Sequence, residues 1–587
     1  MRRQRHGFYN FDWNAHVSYV PPLDRPAGHI ALIAHSGSAF LSLLGNDLRY
    51  RFNMAVSPGQ EINGTMADYI DFALEQPTTK VVALFMEAAR EPGRFVQALD
   101  KAQQRRIPIV VLKVGRTAAS AALAATHCGA IAGNDAAYDA VFRRYGVLRV
   151  ETLDQLMATS LLMAHSSSFG EGGLSAITDS GGLRELIVDL AEKYQVRLAQ
   201  FGEQTIGELR QRLPFGLDPA NPLDAGGPLG PDYVDTFRDC LKIMMEDPDT
   251  AIGSYEFVMN DEVAYMPELL DVATEVRSYT GKPFIVLNSF GAADNQRMAG
   301  DLLNAGVPLI NGTDSMLVAV RHAFAYRDFL KRPSWTSPEG PCLASVNLWR
   351  ERLRRRENLD EAESLSLISE FGVPVVDTLI CESEDEVRLH AGNLRFPVVI
   401  KTAQPDIPHK TDVGGVVLNV GTVDMLISAY RDLSRRLGSR VVIAPMMKAG
   451  VELAFGAVMD DQFGPIVMVA SGGILVETLQ DRQFSVAPFS VEEARYLLDR
   501  LKIRSLLEGK RGFAAANMDS VVQALANFSV LAAELKEELL EIDVNPVIVT
   551  PQGAIAVDAL VVGRGSIGRE PAAERVPIKG RVAADLR

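Results

Sequence analysis

The stretch 29-HIALIAHSGSAFLSLLGNDL-48 sets the reading of the fold. HIALIA is a short apolar run with the look of a buried strand, and it enters a Ser36-Gly37 turn that opens a helix through AFLSLLGNDL. The alternation continues outward. KVVALFME (80–87) reads as a strand, RFVQALDKAQQ as a helix and PIVVLKVG (108–115) as a further strand. Short apolar strands alternating with amphipathic helices predict a parallel sheet covered on both faces. The helix TLDQLMATSLLMAH closes this unit, and SSSFGEGG (166–173) reads as a linker.

The pattern then starts again. GLSAITDSGGLRELIVDLAEKY (173–194) repeats strand, Ser180-Gly181-Gly182 turn and helix, and PFIVLNSFGAAD (283–294) supplies a later strand. KRPSWTSPEGPC (331–342) marks the next boundary, followed by the charged helix LWRERLRRRENL. A third region of mixed α+β character follows, with FPVVIKTA, VVIAPMM, ELAFGAVMDD and GPIVMVASGG as strands and EIDVNPVIVT with AIAVDALVV as the last pair. The expected division is a 1–27 segment, an α/β domain over 28–166, a second over 172–330, a linker and charged helix over 331–358, a third domain over 359–562 and a 563–587 tail.

Bulk composition narrows the function classes. The chain has 587 residues, 47% hydrophobic and 23% charged, too long for one core and ordinary for a globular protein. A net charge of -15 argues against a nucleic-acid surface but permits local phosphate sites. Cys128, Cys240, Cys342 and Cys381 are dispersed, which fits a reducing cytoplasm and neither a disulfide framework nor a zinc site. No apolar run has the length of a membrane helix, and MRRQRHGFYNFDWNAH lacks the apolar region of a signal peptide.

Three constellations carry chemistry. In 126-THCGAIAGND-135 a histidine stands on a small-residue loop after a strand, at the edge where parallel sheets bind ligands, although taken alone a structural histidine is the commoner case. Each Ser-Gly turn opens a helix whose N-terminal N–H groups and dipole favour an anion; Glu87 ends a strand on the same edge, where it could fix a histidine tautomer or be solvated. In 401-KTAQPDIPHKTDVGG-415, Lys401, His409, Lys410 and the glycine pair suit a loop over nucleotide phosphates, though not a Walker A sequence. Asn545 and Asp558, on adjacent predicted strands, are oxygen ligands of the kind that hold Mg²⁺ together with phosphates, or simply polar hairpin residues.

Together, 126-THCGAIAGNDAAYDAVFRRYGVLRV-150, 397-PVVIKTAQPDIPHKTDVGGVVL-418, 472-GGILVETLQDRQFSVAPF-489 and 541-EIDVNPV-547 resemble the NDP-forming acyl-CoA synthetases, relatives of succinyl-CoA synthetase. The resemblance runs from Gly28 to about Val562. It implies two flavodoxin-like, succinyl-CoA-ligase-like domains followed by an ATP-grasp domain. It also implies ATP-dependent, ADP-forming ligation of a carboxylic acid to CoA, with Mg²⁺ as cofactor. His127 is similar to the phosphohistidine, with Thr126 and Cys128 in place of the family's Ser and Thr, and Glu87 to the glutamate that orients it. Ser36-Gly37 and Ser180-Gly181-Gly182 resemble the openings of the two helices that grip its phosphate. Lys401 and Lys410 resemble nucleotide-phosphate ligands, Glu452 a residue near the sugar, and Asn545 and Asp558 the Mg²⁺ ligands. Asp543 matches a carboxylate facing the visiting histidine, and His409 a second phosphohistidine that relays phosphate to His127.

Family members of this fused type carry a CoA-binding Rossmann domain before these segments, and no glycine-rich strand-turn-helix precedes Gly28 here. The resemblance therefore implies a truncated form or a separate CoA-binding subunit, and a homodimer as the assembly. The competing class is a non-catalytic regulatory homologue that binds nucleotide or acyl-CoA; retention of His127 and His409 counts against it, since a binder needs no nucleophile. A protein acyltransferase sharing the scaffold would need a further domain, for which no region is large enough. The loop SPGQEINGT (57–65), with Gln60 and Glu61, is expected to contribute to the acid pocket, with no preference among acids legible.

Overall fold

The computed structural model describes residues 7–18, 23, 25–45, 47, 49–62, 64–117, 119–120, 134–166, 168–227, 232–262, 268–333, 336–355, 359–404, 407, 410, 413–472, 481–510 and 514–564. They form two compact units, Met1–Ala132 with Tyr145–Pro333, and Gly133–Arg144 with Ser334–Arg587.

In the first unit, the strand Ile30–Ala34 is buried at all five positions, and the helix Gly37–Gly45 covers it with Ala39, Phe40, Leu43 and Leu44. Among the described residues its sheet runs Ala15–Val17, Gly7–Asn10, Phe52–Ser57, Ile30–Ala34, Val81–Met86, Ile109–Lys113, Leu148–Val150. From Phe52–Ser57 onward the pairings are parallel, as the alternation predicts. The 1–27 segment adds what the pattern did not predict, an antiparallel hairpin on the sheet edge, with Phe8 opposite Val17 and Val56. The three residues of Ala15–Val17 are all exposed, so no apolar alternation announces that strand.

The second sheet of this unit is parallel among the described residues, in the order Leu309–Asn311, Phe284–Asn288, Thr250–Glu256, Gly173–Thr178, Leu223–Asp224. The helices Leu153–His165 and Thr313–Leu330 are buried along most of their length. Their side chains join Ile30, Leu32 and Val110 of one sheet and Ile252 and Ile285 of the other in one apolar cluster, so the two sheets share a core. Both faces of these helices are apolar for that reason.

The second unit holds two antiparallel sheets. The smaller runs Leu379–Cys381, Val441–Pro445, Val398–Thr402, Val416–Val420. The larger runs Arg482–Val486, Gly464–Ser471, Val451–Asp460, Leu539–Thr550, Gly553–Ala556, and Leu560–Gly563 also pairs with the long strand Leu539–Thr550. Helix Glu361–Glu370 starts at Asp360 with a reciprocal capping box to Glu363, which fixes where the helix begins and so where Glu361 stands.

The helix Asp135–Arg144, inside the expected 28–166 domain, packs in this second unit. Tyr138 meets Phe463 edge-on at 4.8 Å between centroids, and Ala137 and Ala140 lie on Ile466. Arg143 donates to the Phe484 carbonyl at 2.6 Å and Arg144 to that of Pro488 at 3.1 Å. Long-range side-chain contacts, not chain order, decide this placement.

Candidate active site

Lys401 lies at the end of Val398–Thr402 in the smaller sheet, and its side chain is only 9% exposed. Its Nζ donates to Glu361 Oε1 at 2.8 Å and to the Val557 carbonyl at 2.8 Å, with Asp558 Oδ2 at 3.4 Å. Lys410 Nζ donates to the other oxygen, Glu361 Oε2, and stands 3.6 Å from Asp558 Oδ1. Glu361 thus bridges two ammonium groups from a side chain 1% exposed, while the half-buried Asp558 closes the cluster from the other side. Burial would lower the Lys401 pKa, but Asp558 and Glu361 outweigh it and hold the value above normal, so the ammonium stays charged.

Asn545 lies one residue before a backbone bond to the segment that carries Asp558. Val557 N–H donates to the Pro546 carbonyl at 3.1 Å, which extends the antiparallel pairing of Val547 with Ala556 and brings the backbone at Asn545 beside that at Asp558. Asp543 lies two residues earlier on the same strand and, like Asn545, is half-buried where its neighbours Ile542 and Val544 are buried. Glu452 is exposed on the adjacent strand, in register with Ile548. The residues fit Mg²⁺ with a nucleotide. Two lysines face the carboxylate of Asp558, and Asp558 with Asn545 would offer a Mg²⁺ ion only a few oxygens, leaving phosphates to complete the shell, the usual way Mg²⁺ is held. Among the described residues no group of three or more His, Cys, Asp or Glu side chains is arranged to hold a metal by itself.

In the first unit, Ser36 and Ser180 each open a helix at the carboxyl end of a parallel strand. Ser36 Oγ accepts from Ala39 N–H at 3.3 Å and Ser180 Oγ from Leu183 N–H at 3.4 Å. Gly37, Gly181 and Gly182 form the first turns, and a Cβ on Gly181 would come within 3.4 Å of Asp224 Oδ2. Around Ser180, Thr178 Oγ1 donates to Glu256 Oε2 at 2.9 Å and Tyr233 OH to Asp179 Oδ2 at 3.2 Å; burial pushes both carboxyls' pKa up. Glu87 follows its strand half-buried, and its backbone N–H donates to His35 Nδ1 at 3.0 Å. His127 and His409 lie outside the described residues.

Sequence reasoning missed Glu361 and His35. The capping-box pattern 360-DEAE-363 locates a helix start, but it carries no sign that lysines 40 and 49 residues away converge on its first residue. His35 stood in the opening strand-turn stretch and passed as part of the turn.

Fold and site together define an ATP-grasp unit joined to flavodoxin-like domains of the succinyl-CoA ligase type. Family models agree: an ATP-grasp domain matches residues 351–562 and a succinyl-CoA-ligase-like flavodoxin domain residues 27–163. The chain is 30% identical over 566 residues to acetate–CoA ligase [ADP-forming] I of Archaeoglobus fulgidus, covering 93% of this chain and 79% of that one. It is 25% identical over 549 residues to 4-hydroxybutyrate–CoA ligase [ADP-forming] of Nitrosopumilus maritimus, covering 90% and 76%. A solved structure of Ca. Korarchaeum cryptofilum dinucleotide-forming acetyl-coenzyme A synthetase 1, in complex with coenzyme A and Ca-AMPCP, is 34% identical over 38% of this chain and 100% of that chain, with a TM-score of 0.36. The chain belongs to the ADP-forming acyl-CoA ligases.

Proposed function

We propose that the chain activates a carboxylic acid by phosphoryl transfer through His127 and passes the acyl group to CoA. The observation that carries the nucleotide half is the bridged pair of lysines. Glu361 holds Lys401 and Lys410 at hydrogen-bond distance, whereas Asp558 approaches them only at 3.4 and 3.6 Å. Phosphate oxygens can take the Asp558 side of both ammonium groups without disturbing Glu361, which leaves Asp558 with Asn545 for Mg²⁺. Bound there, the ion would neutralise phosphate charge as it shifts in the transition state.

The neutral imidazole nitrogen of His409 attacks the γ-phosphorus, the P–O bond to ADP breaks and a phosphoramidate N–P bond forms; the nitrogen of His127 then takes the phosphoryl group as the His409 N–P bond breaks. Glu87 orients the His127 ring, and the helix openings at Ser36-Gly37 and Ser180-Gly181-Gly182 receive the phosphate charge. A substrate carboxylate oxygen then takes the phosphoryl group from His127. The CoA thiolate attacks the acyl carbon, and phosphate leaves with the C–O bond's electron pair. Asp543 faces the visiting histidine and Glu452 the nucleotide sugar.

The acid is a small organic acid bound beside the loop 57–65. The curated relatives named above include an acetate ligase and a 4-hydroxybutyrate ligase, so the size class is read from a panel of acids assayed for ADP release. CoA binding is proposed to involve a separate subunit or segment, so the panel is run with and without such a partner. A homodimer and the cytoplasm are the proposed assembly and compartment. Among the described residues no helix is long and apolar enough to cross a membrane, and Cys240, Cys342 and Cys381 are unbridged. The decisive experiment is incubation with γ-labelled ATP and Mg²⁺. Acid-labile, base-stable label on the peptide that bears His127, absent from that peptide in His127→Ala, is expected; an unlabelled wild type overturns the proposal. The relay is tested by His409→Ala, which should slow labelling of His127; unchanged labelling removes His409 from the pathway.

A further inference from the structure

His35 sits between the buried strand Ile30–Ala34 and the helix-opening Ser36, and is 9% exposed. Both ring nitrogens are engaged. The backbone N–H of Glu87 points at Nδ1 from 3.0 Å, and since that group can only donate, Nδ1 must be the unprotonated nitrogen. The ring proton therefore sits on Nε2, 3.1 Å from Glu61 Oε1, and is donated to that carboxylate.

Glu61 is itself tightly placed. It is 8% exposed, it adopts a left-handed backbone at φ 51°, and Gly59 two residues before it has φ 61°. Its Oε1 also accepts from Met66 N–H, at the start of the capped helix Met66–Glu75, and Arg90 Nε stands 3.6 Å from Oε2. A side chain holding φ above zero without glycine stays so only where its surroundings over-determine it, and here three partners do. One neutral imidazole thus ties three segments: the phosphate-gripping turn at 36–37, the strand end carrying Glu87, and the 57–65 loop.

We infer that His35 is a positioning residue for acyl-phosphate formation: it locks the acid-side loop through Glu61 to the backbone of Glu87. This rests on the reading above that His127 carries the phosphoryl group and Glu87 orients it. His35 touches neither phosphate nor acid in this scheme. It sets the offset between the group that aims the phosphohistidine and the loop that presents the carboxylate, a distance on which transfer depends steeply.

The test compares His35→Gln with His35→Leu in the full chain. A glutamine amide offers an acceptor oxygen and an NH₂ donor group, so it can restore both bonds; leucine fills similar space and restores neither. After labelling with γ-labelled ATP, the acid-dependent loss of label from His127 is followed in single turnover at saturating acid. The Leu variant should transfer about tenfold or more slowly, with its labelling level by ATP retained, and the Gln variant should transfer within about threefold of wild type. A Leu variant as fast as wild type overturns the inference. So does a Gln variant as slow as the Leu variant with the same thermal midpoint, since the bonds would then not be what matters. The underlying reading fails separately, by a wild-type chain whose label never reaches the peptide that bears His127.

Discussion

Glu361→Gln is the sharpest probe of the proposed nucleotide cleft, because the geometry leaves the substituted side chain no good arrangement. Glu361 gives one oxygen to each of two lysines. The amide of the variant has one carbonyl oxygen and one NH₂, so one lysine keeps its acceptor and the other faces a donor. Both ammonium groups are largely buried, with side chains 9% and 12% exposed. Breaking one partner of a buried pair costs about 3–5 kcal/mol. Asp558, still 3.4 and 3.6 Å from the two lysines, holds the loss near the lower end, about 3 kcal/mol. In urea, with a slope of about 3 kcal/mol per molar, that moves the unfolding midpoint of the second unit down by about 1 M. Trp349, packed against the core of that unit, reports the transition by fluorescence. The same variant should raise the KM for ATP, because the lysine that loses its anchor no longer presents a fixed charge. A midpoint within about 0.2 M of wild type together with an unchanged KM would refute the reasoning, by showing that the lysines do not depend on this carboxylate.

Two further outcomes follow from other parts of the molecule. Gly415→Ala would place a Cβ 2.7 Å from Thr402 Cγ2 and 2.9 Å from the Lys410 carbonyl, which now accepts from Gly415 N–H at 2.7 Å; the Lys410 loop must shift, and steady-state assays should show about a tenfold higher KM for ATP. Burial holds His165 and His322 neutral, depressing their pKa values from 6.5 to about 4 and about 3. Above pH 6.5 neither state of the chain binds those protons; below it the unfolded chain takes them up and the folded one does not, so stability falls as the pH drops. For His165 the loss reaches about 3 kcal/mol by pH 4, and His165→Gln should flatten the pH dependence of the unfolding midpoint between about pH 6.5 and 4.5. An identical slope in the variant would show that His165 is not buried as described.

The architecture was legible in local pattern. Apolar runs entering Ser-Gly turns and amphipathic helices announce parallel α/β units, because the alternation of strand and crossover helix is itself what a parallel sheet requires. Lys401 stands near the end of a buried strand and Asn545 within Leu539–Thr550, but Asp558, expected on the adjacent strand, lies in the short link between Gly553–Ala556 and Leu560–Gly563, where no apolar alternation marks it. The N-terminal hairpin escaped because its outer strand is fully exposed and carries no apolar alternation. The side-chain partners escaped for a different reason. An acid at the first turn of a capped helix looks like any dipole-favoured glutamate.

By itself, then, the chain's order of residues determined the run of elements, the repeated flavodoxin-like pattern and the family, all of which rest on short-range periodicity and contiguous motifs. Tertiary structure alone decided that Glu361 bridges Lys401 and Lys410, that His35 joins Glu61 to Glu87, and that Asp135–Arg144 packs in the second unit. Those are contacts between residues 26 to 344 positions apart. Hydrogen bonds and buried charge pairs of that kind are selected by which surfaces the folded chain brings together, and nothing in the spacing of residues along it records them.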